Sequence, residues 1–449
     1  MLRRLSVSNI IILGFFAVVL VGGLLLCLPI SAADEPARAI DAFFTAVSAT
    51  CITGLTTVTT GTFWSPFGKV VILLLIQIGG IGFMSLAMLF SVLLGKRLSQ
   101  KSKAVFSSCM NLPEGEDLKK FFKTMMCYTF GIEAIGAIVM SIRLVPMFGI
   151  LEGLWQSIFM SVSAFCNAGF DILPAEYAGS CGSISYFVAD PVICITIMLL
   201  ITSGGLGFLV WRELAAAIKN KTRLSLFAKT VLIVSAALIL SGAAVTFVCE
   251  YSNEATYGSL DIWGKLLASF FQSVTYRTAG YYSVDLTAMN GTSQVMAMLL
   301  MFIGGSPCST AGGIKTTTAY VLVLSVLSNA AGKKNIVVGG RMIDDDTVKN
   351  ALTISGLAMM TVTAGTILLG ISEGGRFGVL KSAYECVSAC GTVGLTLGIT
   401  PSLNSFSKVV VMLLMFFGRV GLSTVAYSAL ASDANKVRVK YPRTRFLVG

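Results

Sequence analysis

Three features of the 449-residue sequence point to an all-α, polytopic membrane protein made of four repeated units around a central axis. Only 12% of the residues are charged while 55% are hydrophobic, a balance that one water-facing core could not accommodate. The sparse charges leave runs long enough for a helix to cross the hydrocarbon, which takes roughly 20 residues. Between these runs, related glycine-containing peptides recur at nearly equal spacing, the mark of an internal repeat.

The first run, Leu5 to Ala33, lies between Arg4 and Asp34 and reads as the opening span. Arg3-Arg4, an apolar stretch and Ser31-Ala32-Ala33 also resemble a cleavable leader, but the stretch exceeds the roughly 7–15 apolar residues of one. Val70 to Gly95 forms the second span, Thr124 to Ile142 (with Glu133 as its only charge) the third, Pro191 to Trp211 the fourth and Thr230 to Cys249 the fifth. Leu286 to Gly332 carries only Lys315 and is too long for one span. Gly304-Gly305-Ser306-Pro307 and Gly312-Gly313 interrupt it, so it reads as one helix broken inside the membrane, where irregular backbone is tolerated if it lines a cavity. Asn350 to Ser372 and Val409 to Ser432, the latter carrying only Arg419, complete eight crossings.

Four shorter segments, roughly residues 39–50, 153–166, 261–275 and 381–390, cannot cross a bilayer and are expected as re-entrant helices. The chain then divides into repeat 1 (1–100), repeat 2 (101–222), repeat 3 with its broken second helix (223–340) and repeat 4 with a cytoplasmic C-terminal tail (341–449). Basic residues gather at Arg3-Arg4, Lys96 to Lys123, Arg212 to Lys229, Lys333 to Lys349 and Lys436 to Arg445, alternating with acidic segments. The positive-inside rule then puts both termini in the cytoplasm. The net charge of +11 is a topology signal on this reading and implies no nucleic-acid partner.

The sequence contains no histidine, which removes His-ligated metals, Ser-His-Asp triads and Cys-His nucleophiles. No Gly-Lys pair is followed by Ser or Thr and no Gly-x-Gly-x-x-Gly occurs, so nucleotide-binding loops are absent and no enzyme is expected. The 11 cysteines sit mostly in apolar runs and read as small buried residues; any pairing of Cys181 with Cys249 is open.

The recurring peptides carry the chemistry. They end in Ile52-Thr53-Gly54, Asn167-Ala168-Gly169, Thr278-Ala279-Gly280 and Thr392-Val393-Gly394, and three of them contain Val-Ser-Ala upstream. A second landmark follows each: Gly79-Gly80, Gly204-Gly205, Gly304-Gly305 and Gly418-Arg419. A partly dehydrated cation needs oxygen ligands, and rings of backbone carbonyls supply them, as in the Thr-Val-Gly loops of potassium channels. Glycine suits such backbone because a Cβ resists the dihedrals required. Short helices ending at the same axis would turn their negative C-terminal dipoles towards a cation. Four such loops around one axis would make a central pore with a filter.

On these residues the chain resembles the membrane pore subunit of the Ktr/Trk/HKT superfamily of potassium transporters, most closely its bacterial Ktr-type members. The likeness runs from Leu28-Pro29-Ile30-Ser31 to the basic tail. It implies that Gly54, Gly169, Gly280 and Gly394 line a filter for K+ as the transported ion. Some plant relatives carry serine at the first of these positions together with sodium selectivity, so four glycines favour potassium. A part for Na+ in transport stays open.

The resemblance further implies that Gly304, Gly305, Ser306, Ser309, Thr310, Gly312, Gly313 and Lys315 belong to an intramembrane gating loop. Arg419 would oppose cation passage and hold that loop shut; neutralisation of Arg419 by Glu133 is the alternative. Arg277 is expected to brace the third filter strand. Implied partners are a second copy of the chain and a cytosolic nucleotide-binding regulatory ring of the KtrA/TrkA type. The sequence departs from the family pattern at Cys51-Ile52, at Tyr276 in place of proline, and at Cys308 in place of glycine. An ion-coupled secondary transporter of a small solute is the rival function, disfavoured by four parallel copies of one unit where such carriers show inverted or two-fold repeats.

Overall fold

The computed structural model describes residues 7–82, 118–174, 176, 182–333, 335–422 and 424–425. The basic clusters at Arg3-Arg4 and Lys436 to Arg445, most of Lys96 to Lys123, and Cys181 lie outside them. Within the described residues the chain passes four times through a long helix, a short helix, an irregular loop and a second helix. The first pass is α1 (Val7–Leu26), α2 (Ala39–Thr50), the single turn α3 (Thr60–Phe63) and α4 (Pro66–Ile81). The second is α5 (Leu118–Phe148), α6 (Ile150–Phe165), α7 (Pro191–Leu206) and α8 (Phe208–Asn220). The third is α9 (Leu226–Glu250), α10 (Ile262–Thr275), α11 (Gly291–Phe302) and α12 (Thr316–Ala330). A small hairpin, β1 (Val337–Val338) and β2 (Arg341–Met342), leads to α13 (Asp345–Ser372), α14 (Gly378–Gly391) and α15 (Ser405–Val420).

The long helices α1, α5, α9 and α13 are apolar and long enough to cross a membrane. Their outward faces are apolar too: Ile135, Ile138 and Ile142 of α5 are all about two-thirds exposed, which suits lipid and not water. The second helices begin at caps that the sequence spells out. Ser65 Oγ accepts from Gly68 N at 3.2 Å, Asp190 Oδ1 from Val192 N at 2.9 Å, and Asn404 Oδ1 from Ser407 N at 2.8 Å. Proline occupies the first helical turn at Pro66 and Pro191, where its missing N–H costs nothing.

Where these helices end departs from the sequence expectation. The runs Val70 to Gly95, Pro191 to Trp211 and Val409 to Ser432 read as unbroken spans, yet α4, α7 and α15 stop at Gly82, Gly207 and Gly421. The reason is local: φ is 89°, 88° and 96° at these glycines, a left-handed backbone that ends a right-handed helix. Beyond Gly207 the chain leaves at 99° as α8. Each of the other three second helices therefore also ends at a glycine of positive φ, while residues 83–95 and 426–432 of the expected spans lie outside the described ones.

Packing turns the four passes into a ring. Each short helix lies against the long helix of its own pass, α2 on α1, α6 on α5, α10 on α9 and α14 on α13. Each second helix also packs on the short helix of the next pass: α4 on α6, α7 on α10, α11 on α14, and α15 back on α2. A Lys408 Nζ–Asp41 Oδ1 ion pair of 2.7 Å, its side chains only 12% and 11% exposed, fastens that closing joint.

Candidate functional site

The four glycine loops begin where the buried short helices end, and they share one backbone. Ile52, Asn167, Thr278 and Thr392 have φ of 52°, 59°, 69° and 51°; two residues later Gly54, Gly169, Gly280 and Gly394 have φ of 93°, 69°, 83° and 94°. The residue between each pair keeps a negative φ. Such alternation turns successive carbonyls to the same side of the chain, and it costs three of the four loops one strained β-branched residue each, Ile52, Thr278 and Thr392. In each loop the flanking glycine is needed for contact as well as for conformation. A Cβ on Gly54 would stand 2.5 Å from the Ala168 oxygen, one on Gly169 2.6 Å from the Ala279 oxygen, and one on Gly280 2.6 Å from the Val393 oxygen. A Cβ on Gly394 would overlap the Thr53 oxygen, so the loops touch one another in cyclic order.

A hydroxyl upstream pins three of the loops. Ser48 Oγ accepts from Gly54 N at 3.0 Å, Ser163 Oγ from Phe170 N at 2.9 Å, and Ser388 Oγ from Gly394 N at 3.1 Å. The same serines' carbonyls accept from Thr53 N, Ala168 N and Val393 N, each at 2.8 Å. Val274 stands at the matching place in repeat 3, and there Thr275 Oγ1 donates to the Tyr281 oxygen at 2.5 Å instead. These serines were missed as functional positions, although the thrice-repeated Val-Ser-Ala announces them. The hydroxyl oxygens of Thr53, Thr278 and Thr392 are buried with no protein partner among the described residues.

The segment from Ile303 to Lys315 folds directly against this ring. A Cβ on Gly304 would lie 3.2 Å from Thr278 Cγ2, and one on Gly312 would overlap Thr392 Oγ1. Ile303 and Ile314 form a bridge that closes the segment's neck, with Gly304 N donating to the Ile314 oxygen at 2.9 Å and Thr316 N to the Gly305 oxygen at 3.0 Å. The tip is docked on repeat 2: Ser306 N donates to the Gly205 oxygen at 2.9 Å, Thr310 N to the Gly204 oxygen at 3.2 Å, and Phe208 N to the Cys308 oxygen at 2.9 Å. Ser306 Oγ accepts from Thr316 Oγ1 at 3.2 Å, Ser309 Oγ donates to the Ser306 oxygen at 2.6 Å, and Lys315 Nζ donates to the Ala311 oxygen at 2.7 Å.

Arg419 binds the segment from the opposite side. Its Nη1 donates to the Thr310 oxygen at 2.5 Å, while Nη2 donates to the Gly79 oxygen and, at 3.3 Å, to the Gly80 oxygen. The second landmark of repeat 4 thus reaches both the segment and the landmark of repeat 1. Glu133 accepts from Gln77 Nε2 at 3.2 and 3.3 Å and from Cys166 Sγ at 3.8 Å, so its carboxylate is occupied by repeat 1 and by the base of the second loop. Gln77 gave no sequence signal, since a lone glutamine in an apolar run has no spacing to mark it. Arg277 is buried and donates to the Ser235 oxygen and Oγ at 3.5 and 3.3 Å.

The sequence matches the TrkH cation transport protein family over residues 7–437. It is 39% identical to the Ktr system potassium uptake protein B of Bacillus subtilis, with 99% of this chain and 97% of that one covered. It is 38% identical to the potassium/sodium uptake protein NtpJ of Enterococcus hirae, covering 100% of this chain and 98% of the relative. The fold is similar to the crystal structure of the potassium transporter TrkH from Vibrio parahaemolyticus, with a TM-score of 0.71 at 17% identity over 94% of this chain and 85% of that one. These relatives are ion transporters and not enzymes. Over nearly its whole length the chain belongs to the TrkH family of cation transport proteins.

Proposed function

We propose that the chain takes up potassium across the cytoplasmic (inner) membrane through a central pore, with the four glycine loops as its selectivity filter. The observation that carries this reading is the closed ring of loops, each with left-handed backbone at its glycine and two residues before it. That pattern presents stacked carbonyls, and the partnerless hydroxyls of Thr53, Thr278 and Thr392 add further oxygens. Burial keeps water from competing for these ligands. The short helices end at the ring, so their C-terminal dipoles favour a cation there. The names of the B. subtilis and E. hirae relatives support potassium as cargo, and the second leaves a place for sodium.

The 304–315 segment with Arg419 acts as the gate on this reading. It covers the ring on the side where Thr278 and Thr392 lie, and the guanidinium ties it to repeat 1. The chain crosses the membrane eight times with four re-entrant helices, in units 1–100, 101–222, 223–340 and 341–449, and both termini are cytoplasmic. It works as a homodimer under a cytosolic nucleotide-binding ring of the KtrA/TrkA type, docked on its basic inner face. The test is complementation of a potassium-uptake-deficient strain on low potassium. Growth is expected; failure with good membrane expression would turn the reading towards an ion-coupled carrier of another solute.

A further inference from the structure

Arg277 poses an electrostatic problem that the ring does not solve. It directly precedes Thr278, the first residue of the third glycine loop, and is only 8% exposed. Its polar contacts among the described residues are the two long ones to Ser235, and its Nε–H is buried with no partner among them. No carboxylate forms an ion pair with it among the described residues. A buried guanidinium without a counter-charge is costly, and beside a cation filter it would also repel the cargo.

The guanidinium lines a cavity of about 170 Å³, bounded by Thr202 and Gly205 of α7, Ser235 of α9, Val274 of α10, and Gly305. That is room for several water-sized particles, each of which occupies about 30 Å³ in the liquid. No acidic side chain lines it. Thr202 Oγ1 already donates to the Met198 oxygen at 2.8 Å, which leaves the Arg277 guanidinium and Ser235 as the polar side chains along the space. Its walls are otherwise mostly aliphatic, Ile201, Leu206, Leu232 and Ile239 among them. One uncompensated cationic group and one hydroxyl in a largely apolar shell suit a weakly hydrated monovalent anion better than a phosphate or sulfate, which would need many more hydrogen bonds.

We propose that this cavity holds a halide-class anion, chloride in the cell, paired to Arg277 and Ser235, and that it cancels the guanidinium's field at Thr278 to Gly280. The effect on transport rests on the filter reading above; the presence of the ion does not. The purified full chain should therefore be crystallised with bromide in place of chloride, and reconstituted in vesicles with matched chloride, bromide or gluconate on both sides. An anomalous bromide peak in the cavity beside the Arg277 guanidinium is expected, with potassium flux at least threefold lower in gluconate than in chloride and restored by bromide. Arg277→Gln should make the flux indifferent to the anion, and the wild-type measurements stand on their own should that variant fail to fold. Only water density beside a well-resolved Arg277 overturns the site. A bromide peak with equal flux in all three salts overturns the charge compensation. If the chain carries no potassium at all, the filter reading fails while the bromide map still decides the site.

Discussion

At the scale of single residues, the serines six positions before the glycines do work that composition hides. Ser388 Oγ is the acceptor for the Gly394 N–H, which has no other place to go in a buried loop. Ser388→Ala leaves that N–H unpaired, at a cost of about 1–3 kcal/mol that falls on the loop's geometry. Since about 1.4 kcal/mol is tenfold in an equilibrium, the K+:Na+ flux ratio should drop by roughly tenfold, while Ser388→Thr keeps the acceptor and most of the ratio. An unchanged ratio in Ser388→Ala vesicles would show that the loop is held by its neighbours alone. The glycines and the threonines of the loops were legible in the sequence because they repeat. Gln77 and Ser235 were not, because each contact joins residues far apart in the chain whose own neighbourhoods are featureless, and the reach of Arg419 to the Gly79 landmark shows only in the fold.

At the scale of elements, the second helices carry the lesson. Caps such as Ser65-Pro66 and Asp190-Pro191 make their starts readable, whereas their ends are hidden inside runs that stay apolar beyond the break. The local cue is a glycine three residues after the first of each landmark, in Gly79-Gly80-Ile81-Gly82, Gly204-Gly205-Leu206-Gly207 and Gly418-Arg419-Val420-Gly421, and hydropathy does not see it. At Gly207, with φ of 88°, a Cβ would also overlap the Pro307 oxygen at the tip of the 304–315 segment. Gly207→Ala should destabilise the detergent-solubilised protein by at least the 1–2 kcal/mol or so of a left-handed alanine, lowering its melting temperature. Gly356→Ala, in the middle of α13 with open space around the glycine, should leave that temperature equal or raise it, helix propensity adding about 1 kcal/mol. Equal effects of the two variants would argue against a conformational role for Gly207. Deleting residues 306–313 should raise flux in the absence of any regulator. A folded deletion variant with no increase would remove the segment from the gate.

For the whole molecule, the ring has to close between the ends of the chain, and the fold does so with α15 on α2 and the Lys408–Asp41 pair. Because both side chains are almost fully buried, removing one charge strands the other: Asp41→Asn or Lys408→Met should each cost about 3–5 kcal/mol, and the double variant should recover much of it. Additive losses in thermal unfolding would mean that the two groups do not depend on each other. Four-fold repetition was visible in the spacing of the glycines, but the order in which the repeats touch emerges only from the packed helices. The central claim is that the four touching loops select the ion. The most direct measurement is the K+:Na+ flux ratio of the purified chain in vesicles, wild type beside Gly54→Ser. A Cβ at Gly54 presses on the Ala168 oxygen 2.5 Å away and must spread the ring, so the wild type should favour potassium and the variant should admit relatively more sodium. Equal ratios in the two proteins would contradict it.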